Sequence, residues 1–202
     1  MSDLRTARPP RDPVSAEVPD WSREAKPFWR WHPSRSLLAS HRAHEKVRHR
    51  SGPHHALSRW FAMMRLRFWT VVTGAEIPFG CEIAGGLLLP HPNGIVVHPD
   101  VKIGPNCLLM QQVTLGIGGT LPGAPVLVGR VDIGAGAKVL GGVTLGAHCI
   151  VGANAVVLQD VPAGATAVGI PARIVQDSTW SAEAAAPRQD GVGGTENHPG
   201  IS

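Results

Sequence analysis

The hydrophobic positions between residues 101 and 158 recur every six residues. The recurring aliphatic positions are Ile103, Leu109, Leu115, Ile133, Val139, Leu145, Val151 and Val157. A second column lies two positions earlier and holds small or β-branched residues: Val101, Cys107, Val113, Val131, Ala137, Val143, Cys149 and Ala155. A short fixed period is typical of a solenoid, and six residues suit one side of a three-sided coil. The pattern therefore predicts a hexapeptide β-helix rather than the alternating short strands of a sandwich.

The six-residue period is interrupted in two places. An early run of aliphatic residues also has a six-residue period and consists of Ile77, Ile83, Leu89 and Ile95. Its positions are offset by two residues from the later ones, so the register slips near His91. Residues 117–128 are rich in Gly and Pro. Although Leu121 and Leu127 keep the phase, this composition favours a protruding loop.

The chain outside the coil divides into three parts. Residues 1–33 predict an extended basic arm, and residues 34–74 predict a helical region with helices over 37–50 and 56–72. The coil is expected over 75–176. Residues 177–202 are rich in Ala, Gly, Asp and Pro, which favours a disordered tail.

The charge is uneven along the chain. Residues 1–70 hold 14 Lys and Arg against 6 Asp and Glu, and residues 71–202 hold 5 against 9. The basic part also carries Trp21, Trp29, Trp31, Trp60 and Trp69. Basic and aromatic residues together can bind nucleic acid or an anionic membrane, or can form a solvated helical cap. Because no nucleic-acid motif is present, we expect no nucleic acid and keep peripheral membrane contact open.

The composition bears on compartment and assembly. Three cysteines argue against a disulfide framework; Cys107 and Cys149 fall in the small-residue column and are expected in the core. The sequence shows neither a signal peptide nor a long apolar span, so we expect a cytoplasmic protein. Only 17% of residues are charged, which favours an oligomer that stacks sheet faces.

Four stretches resemble the serine acetyltransferase branch of the hexapeptide acyltransferases. They are LLLPHPNGIVVH (87–98), QQVTLG (111–116), VDIGAGAKVLGGVTLG (131–146) and IVGANAVVLQDVPAGATAVGIPARIV (150–175). The resemblance implies a left-handed parallel β-helix, a trimer, and acetyl-CoA bound along the groove between neighbouring coils. It implies an O-acetyltransferase that uses no metal.

The resemblance also assigns the catalytic residues. His91 falls on the family's general base, and Glu76 falls on the carboxylate fifteen residues upstream that orients it, where the family has Asp. A hydroxyl is a poor nucleophile at neutral pH and needs a base, and a carboxylate on the other ring nitrogen fixes the tautomer of a histidine. From the residues alone, His91 could equally be a surface histidine in a turn.

The same resemblance implies the residues that bind CoA. Gly118 and Gly119 match loop glycines that let the cosubstrate approach, and Ala135 and Ala153 match small positions along the groove. Lys138 and Arg173 are candidates for the CoA phosphates, with solvated surface charge as the alternative.

The acceptor half of the family's site is largely missing. Pro90 replaces an Asp before the base, and Gly123 and Ala124 replace an Arg-His pair in a loop that is two residues shorter. Because a free carboxylate usually needs an Arg or a comparable donor, we expect another hydroxyl, such as a sugar of an exopolysaccharide. Arg130 is the only basic residue near this loop. The sequence is similar to members associated with polysaccharide biosynthesis.

Three other functions compete with this hypothesis. The chain could be a serine O-acetyltransferase with a rearranged acceptor site, or a non-catalytic β-helix scaffold. A metal hydratase of the same fold is disfavoured because His91, His98 and His148 have the wrong spacing. The family associates with cysteine synthase through a C-terminal Ile; this sequence ends Gly200-Ile201-Ser202, so we do not expect that partner.

Overall fold

The structure is a computed structural model that describes residues 14–27, 29–48 and 50–175. The predicted tail over 177–202 and the start of the arm lie outside these residues. A 3-10 turn (Trp21–Arg23) precedes two helices, α1 (Pro33–Val47) and α2 (Pro53–Thr73). The strands are β1 (Glu82–Ile83), β2 (Val96–Val97), β3 (Lys102–Ile103), β4 (Leu108–Leu109), β5 (Thr114–Gly116), β6 (Val126–Leu127), β7 (Asp132–Ile133), β8 (Lys138–Leu140), β9 (Thr144–Leu145), β10 (Ile150–Val151), β11 (Val156–Val157), β12 (Thr166–Val168) and β13 (Arg173–Val175).

The strands form three parallel sheets that the chain visits in rotation. Sheet 1 contains β2, β5, β8 and β11, sheet 2 contains β1, β3, β6 and β9, and sheet 3 contains β4, β7, β10 and β12, with β13 added antiparallel at its end. From β2 to β11, consecutive strands therefore lie on consecutive sides of a three-sided coil, as the six-residue period predicts. At the two ends, the isolated bridges of Leu88 to Leu108 and of Val161 to Leu145 take the place of a strand on one side. Only two or three residues form each strand, since each side of the coil is short.

The aliphatic residues of both sequence columns fill the coil. Val97, Leu115, Val139 and Val157 stack inside sheet 1 with exposures of 3% or less, and sheets 2 and 3 stack in the same way. Cys107 and Cys149 are fully buried, as expected from their column. Burial raises the pKa of Cys81 and Cys107 to about 11 and that of Cys149 to about 12.

The strand register locates both interruptions of the period. Val97 pairs with Leu115 and Leu127 pairs with Leu145, so a regular rung consists of three six-residue sides. Ile83 pairs with Ile103, which makes the first rung two residues longer than a regular one. Ile103 pairs with Leu127, which makes a later rung longer by one whole side. The register slip near His91 is confirmed, and the second excess forms an exposed loop over 117–123.

The two helices pack at the start of the coil. Leu37, Leu38 and Leu66 join the same hydrophobic core as Ala75 and Ile77. Arg42 of α1 donates to the carbonyl oxygens of Ile83 and Ala84 and forms an ion pair with Glu24 at 2.9 Å. Within the described residues no helix has both the length and the apolar character needed to span a membrane.

The described part of the arm is bound to the coil, whereas the sequence predicts only an extended segment. It crosses the edge between sheets 2 and 3, where Asn106 adopts a φ of +60° and is fully buried. The Asn106 side chain accepts a hydrogen bond from the Asp20 amide and donates to the carbonyl oxygens of Ser15 and Val18, each at 2.8 Å. One buried amide thereby satisfies three backbone groups of the arm.

Asn106→Ala should therefore release the arm. Three hydrogen bonds worth about 1 kcal/mol each predict a free energy of unfolding lower by about 3 kcal/mol, together with faster tryptic cleavage at Arg23 and Lys26. Asn154→Ala is the matched control, because Asn154 also adopts positive φ (+57°) at a corner but is exposed. Urea titration that gives equal losses for both variants would contradict this role of Asn106.

Candidate functional site

A groove of about 590 Å³ runs between sheet 1 and the C-terminal half of α2. Leu66 and Thr70 of α2 form one wall, and the outward side chains of sheet 1 form the floor. The polar residues of this floor are Glu76, His98 and Thr114. Sheet 1 is therefore one side of the coil where titratable groups meet a concave surface. A second groove, of about 610 Å³, lies between sheet 2 and α1 and has Glu82 and Lys102 on its floor.

His91 lies in the corner that leads from sheet 3 into sheet 1 at the first rung. Its side chain is exposed, and so is that of the preceding Pro90. The corner is closed by hydrogen bonds from the Ile95 amide to the Pro92 carbonyl (3.2 Å) and from the Gly94 amide to the Gly74 carbonyl (2.8 Å). Because this rung carries the two extra residues, the corner projects outward and presents the imidazole.

Glu76 begins sheet 1 immediately beside that corner. Its amide donates to the Ile95 carbonyl at 2.7 Å, and its residue bridges Val96 in parallel. The carboxylate is exposed on the outer face. The structure therefore brings the backbones of Glu76 and the His91 corner together, although no hydrogen bond or ion pair joins the two side chains among the described residues.

The corners between sheets 3 and 1 stack along the coil and place the two predicted alanines in line with His91. The Gln112 amide donates to the Asn93 carbonyl, the Gly136 amide to the Gln111 carbonyl, and the Asn154 amide to the Ala135 carbonyl. Ala135 and Ala153 thus occupy the third and fourth corners of the edge that begins at His91.

The loop with Gly118 and Gly119 lies at the opposite edge of sheet 1. These glycines adopt φ of +113° and +84°, and a Cβ on Gly118 would meet no atom within 4 Å. The Thr120 hydroxyl donates to the Leu158 carbonyl and the Gly142 amide to the Leu121 carbonyl. The loop is therefore bound along the later rungs rather than extended from the coil.

The two predicted phosphate ligands occupy different sheets. Lys138 lies on sheet 1, where its Nζ donates to the Gln112 carbonyl at 2.6 Å. Arg173 is exposed on β13, at the end of sheet 3. Only Lys138 shares a sheet with Glu76.

The residues that replace the acceptor ligands carry no charge toward the groove. Gly123 adopts a φ of +107°, which disfavours any side chain there, and Ala124 packs against the core. Arg130 forms an ion pair with Asp132 at the edge between sheets 2 and 3. Within one chain, Arg130 is therefore on a different edge from His91.

Two further residues of this region are given no part in the acetyl-transfer site by the sequence; His98 is considered there only as a metal ligand. His98 is half-buried in the groove, and its Nδ1 lies 3.7 Å from an Asp100 carboxylate oxygen. The Gln111 Oε1 atom is buried without a hydrogen-bond partner, one corner beyond His91. Both lie in quoted motif stretches, and that is the signal that could have found them. Among the described residues, no three His, Cys, Asp or Glu side chains form a group that could hold a metal ion.

Comparison with solved structures gives consistent relatives. A soybean serine acetyltransferase apoenzyme matches at 35% identity and a TM-score of 0.61, over 71% of this chain and 58% of that one. A serine acetyltransferase in complex with CoA matches at 33% identity and a TM-score of 0.60, over 72% of this chain and 58% of that one. The serine acetyltransferase from Brucella abortus matches at 30% identity and a TM-score of 0.60, over 71% of this chain and 57% of that one. No protein-family model and no curated sequence matches.

The fold and these matches define the class as a hexapeptide-repeat acyltransferase. Within that class the resemblance to serine acetyltransferases is confirmed, because the match covers 71% of the chain at 35% identity. The chain spans somewhat less than three fifths of these relatives, 58% for the soybean enzyme.

Proposed function

We propose that this protein is an acetyl-CoA-dependent O-acetyltransferase with His91 as general base. One observation carries the proposal. The two-residue excess of the first rung lies in the corner that carries His91, and this corner leads directly into the backbone pairing of Glu76 with Val96, in a chain similar to a serine acetyltransferase that was solved in complex with CoA.

In the proposed reaction His91 accepts the proton of the acceptor hydroxyl. The oxygen then attacks the thioester carbonyl of acetyl-CoA, and the tetrahedral intermediate expels the CoA thiolate, which recovers the proton from the imidazolium. Glu76 orients the imidazole and stabilises its charged form. The acceptor leaves as an acetyl ester, and free CoA is the second product.

The proposed CoA site runs along sheet 1. Ala135 and Ala153 leave room at one edge, and Gly118 and Gly119 expose backbone at the other. Lys138 would have to exchange its bond to the Gln112 carbonyl for a phosphate. Arg173, at the end of sheet 3, remains a candidate phosphate ligand only if the phosphates extend beyond the last rung of sheet 1.

The proposed acceptor is an uncharged hydroxyl such as that of a sugar, which places the enzyme in polysaccharide biosynthesis. Pro90, Gly123 and Ala124 offer no charge to a carboxylate or an ammonium. Serine is the second candidate, favoured by the soybean relative solved in complex with serine, at 35% identity. For serine, a basic residue from a neighbouring copy would have to supply the missing partner.

The proposed assembly is a trimer of left-handed coils in the cytoplasm, with the domain boundaries expected from the sequence. One chain alone leaves the sheet 1 groove open and Glu76 exposed, and a neighbouring coil would close it. We do not propose cysteine synthase or nucleic acid as a partner.

His91→Ala should lower turnover by about 10²–10⁴-fold, the usual cost of losing a general base, and should leave CoA binding nearly unchanged. Glu76→Gln should cost less, because an amide still orients the ring, and Glu76→Asp should retain most activity. CoA release followed with a thiol reagent measures all three. The buried protein thiols stay protonated at assay pH, because burial raises their pKa to about 11 or above.

The matched control for these variants is His148→Ala. His148 adopts a φ of +60° in a corner between sheets 2 and 3 and takes no part in the proposed site. More than a tenth of the wild-type rate in His91→Ala would remove His91 from the mechanism.

L-Serine should be a poor acceptor compared with sugar hydroxyls. Each unpaired charge of serine costs several kcal/mol in a closed site, so kcat/KM for serine should lie below about 10⁴ M⁻¹s⁻¹. Pro90→Asp restores one ligand at an exposed position and should raise that value roughly tenfold, as expected for a hydrogen bond to a charged group. A native value at or above this limit would show that serine is the substrate.

The proposed trimer should have three times the 21.4 kDa mass of the chain. Light scattering at micromolar concentration measures this directly. A stable monomer would contradict a site that depends on a neighbouring coil, whereas a hexamer would be consistent with two paired trimers.

A further inference from the structure

Helix α2 has an apolar stripe on the face that points away from the coil. Its exposed fractions are large: Leu57 57%, Trp60 50%, Phe61 59%, Phe68 56%, Val71 83% and Val72 39%. At 3.6 residues per turn these positions fall within an arc of about 120°. The opposite face of α2 is the one that packs inward, through Ala62, Leu66 and Thr73. The helix is therefore apolar on both faces, and only one face is covered within this chain.

An uncovered apolar stripe of this size marks an interaction surface. Scattered surface hydrophobics are common in folded proteins, but here two large aromatic side chains, Trp60 and Phe61, are in contact at 5.0 Å between ring centroids. Three more turns of the same stripe continue to Val72. The stripe is convex, because it lies on a single helix, so it fits a partner that is flat or deformable rather than an inserted peptide.

The charges at the stripe are all positive. Arg65 and Arg67 are exposed and lie at its two borders, and α2 contains no Asp or Glu. Across the described residues from 14 to 73 there are 11 Lys and Arg against 4 Asp and Glu. Two of those four acids are already paired, Glu24 with Arg42 and Glu45 with Arg48. The surroundings of the stripe therefore attract an anionic partner.

Tryptophans extend the surface at the C-terminal end of α2. The rings of Trp31 and Trp69 are in contact in a tilted arrangement with centroids 5.3 Å apart, and the Trp69 ring meets that of Phe68 edge to face at 5.1 Å. Trp31 is 67% exposed and the nearby Trp29 of the same segment is 88% exposed. Trp is enriched where a protein meets lipid headgroups, because its ring is apolar and its N–H is polar.

A second copy of α2 fits this surface less well. Arg65 and Arg67 lie near the middle of the helix, and Arg65 is held there by a hydrogen bond to the Ser40 hydroxyl at 2.9 Å. Antiparallel pairing about a twofold axis would therefore set these arginines against their own counterparts. No carboxylate of α2 could separate these charges, and like charges placed together oppose association. An anionic lipid surface avoids this repulsion, since it offers phosphates to the Arg borders and acyl chains to the stripe.

We propose that α2 lies in the headgroup region of an anionic membrane. The stripe from Leu57 to Val72 enters the acyl boundary, and Arg67 contacts lipid phosphates. Arg65 adds positive charge at the other border while its guanidinium stays bonded to the Ser40 hydroxyl and the Ala39 carbonyl of α1. This is the binding mode of an amphipathic helix that lies on a membrane rather than crossing it. It concerns a surface outside the proposed catalytic residues and does not depend on the acceptor.

The test is co-sedimentation of the full-length protein with vesicles of phosphatidylcholine alone or with phosphatidylglycerol added. We expect binding to the mixed vesicles that weakens with salt, and little binding to the neutral ones. Phe68→Glu should lower the vesicle-bound fraction at least tenfold, while Val18→Glu, at a position 68% exposed outside the stripe, should not change it. Arg67→Gln should weaken binding more than Lys102→Gln, which removes the same charge from the coil.

Circular dichroism and light scattering accompany each variant. Absence of binding to anionic vesicles, or equal effects of Phe68→Glu and Val18→Glu, would overturn the proposal. If Phe68→Glu instead reduced the number of chains in the assembly without vesicle binding by the wild type, the stripe would be an interface between copies. Acetyl transfer to a soluble acceptor should be unchanged in Phe68→Glu, so failure of this proposal is distinguishable from failure of the proposed function.

Discussion

The structure depends on the stacking of inward aliphatic side chains from rung to rung. Val97 lies against Leu115, and Leu127 against Leu145, only if each rung keeps its three six-residue sides. Any additional residue has to leave the coil, because inserting it would turn the inward column outward. The two extra residues of the first rung create the His91 corner, and the additional side after β5 creates the loop with Gly118 and Gly119. Both departures lie at the edges of sheet 1, the side that carries the proposed site.

The coil could be predicted because its signal is local and repeats. Each aliphatic position, for example Leu115, carries the same information as its neighbours six residues away. The binding of the arm could not, because the partners of Asn106 lie 86 to 91 residues away and Asn is an ordinary corner residue. Nor could the broad apolar face of α2 be divided into buried and exposed parts before the position of α1 was known.

The sequence could predict which candidate residues share an edge of the coil, because the position of a residue within the six-residue repeat determines where it lies on the coil. Ala135 and Ala153 share an edge with His91 because they occupy equivalent corners. The sequence could not place His98 in the groove or Gln111 at the next corner, because the two-residue slip has to be located first. Arg130 and Arg173 lie on other parts of the coil than sheet 1. The chain changes sheet every six residues, so residues that are close in sequence can face different sides of the coil.

In the proposed site, sheet 1 and its two edges bind CoA with the reactive sulfur at His91. A crystal structure of the protein with CoA tests it most directly. We expect the pantetheine arm to lie along sheet 1 between the Gly118–Gly119 loop and the Ala135–Ala153 edge, with the sulfur within about 5 Å of the His91 imidazole. CoA bound on sheet 2 or sheet 3, with His91 facing solvent, would contradict it.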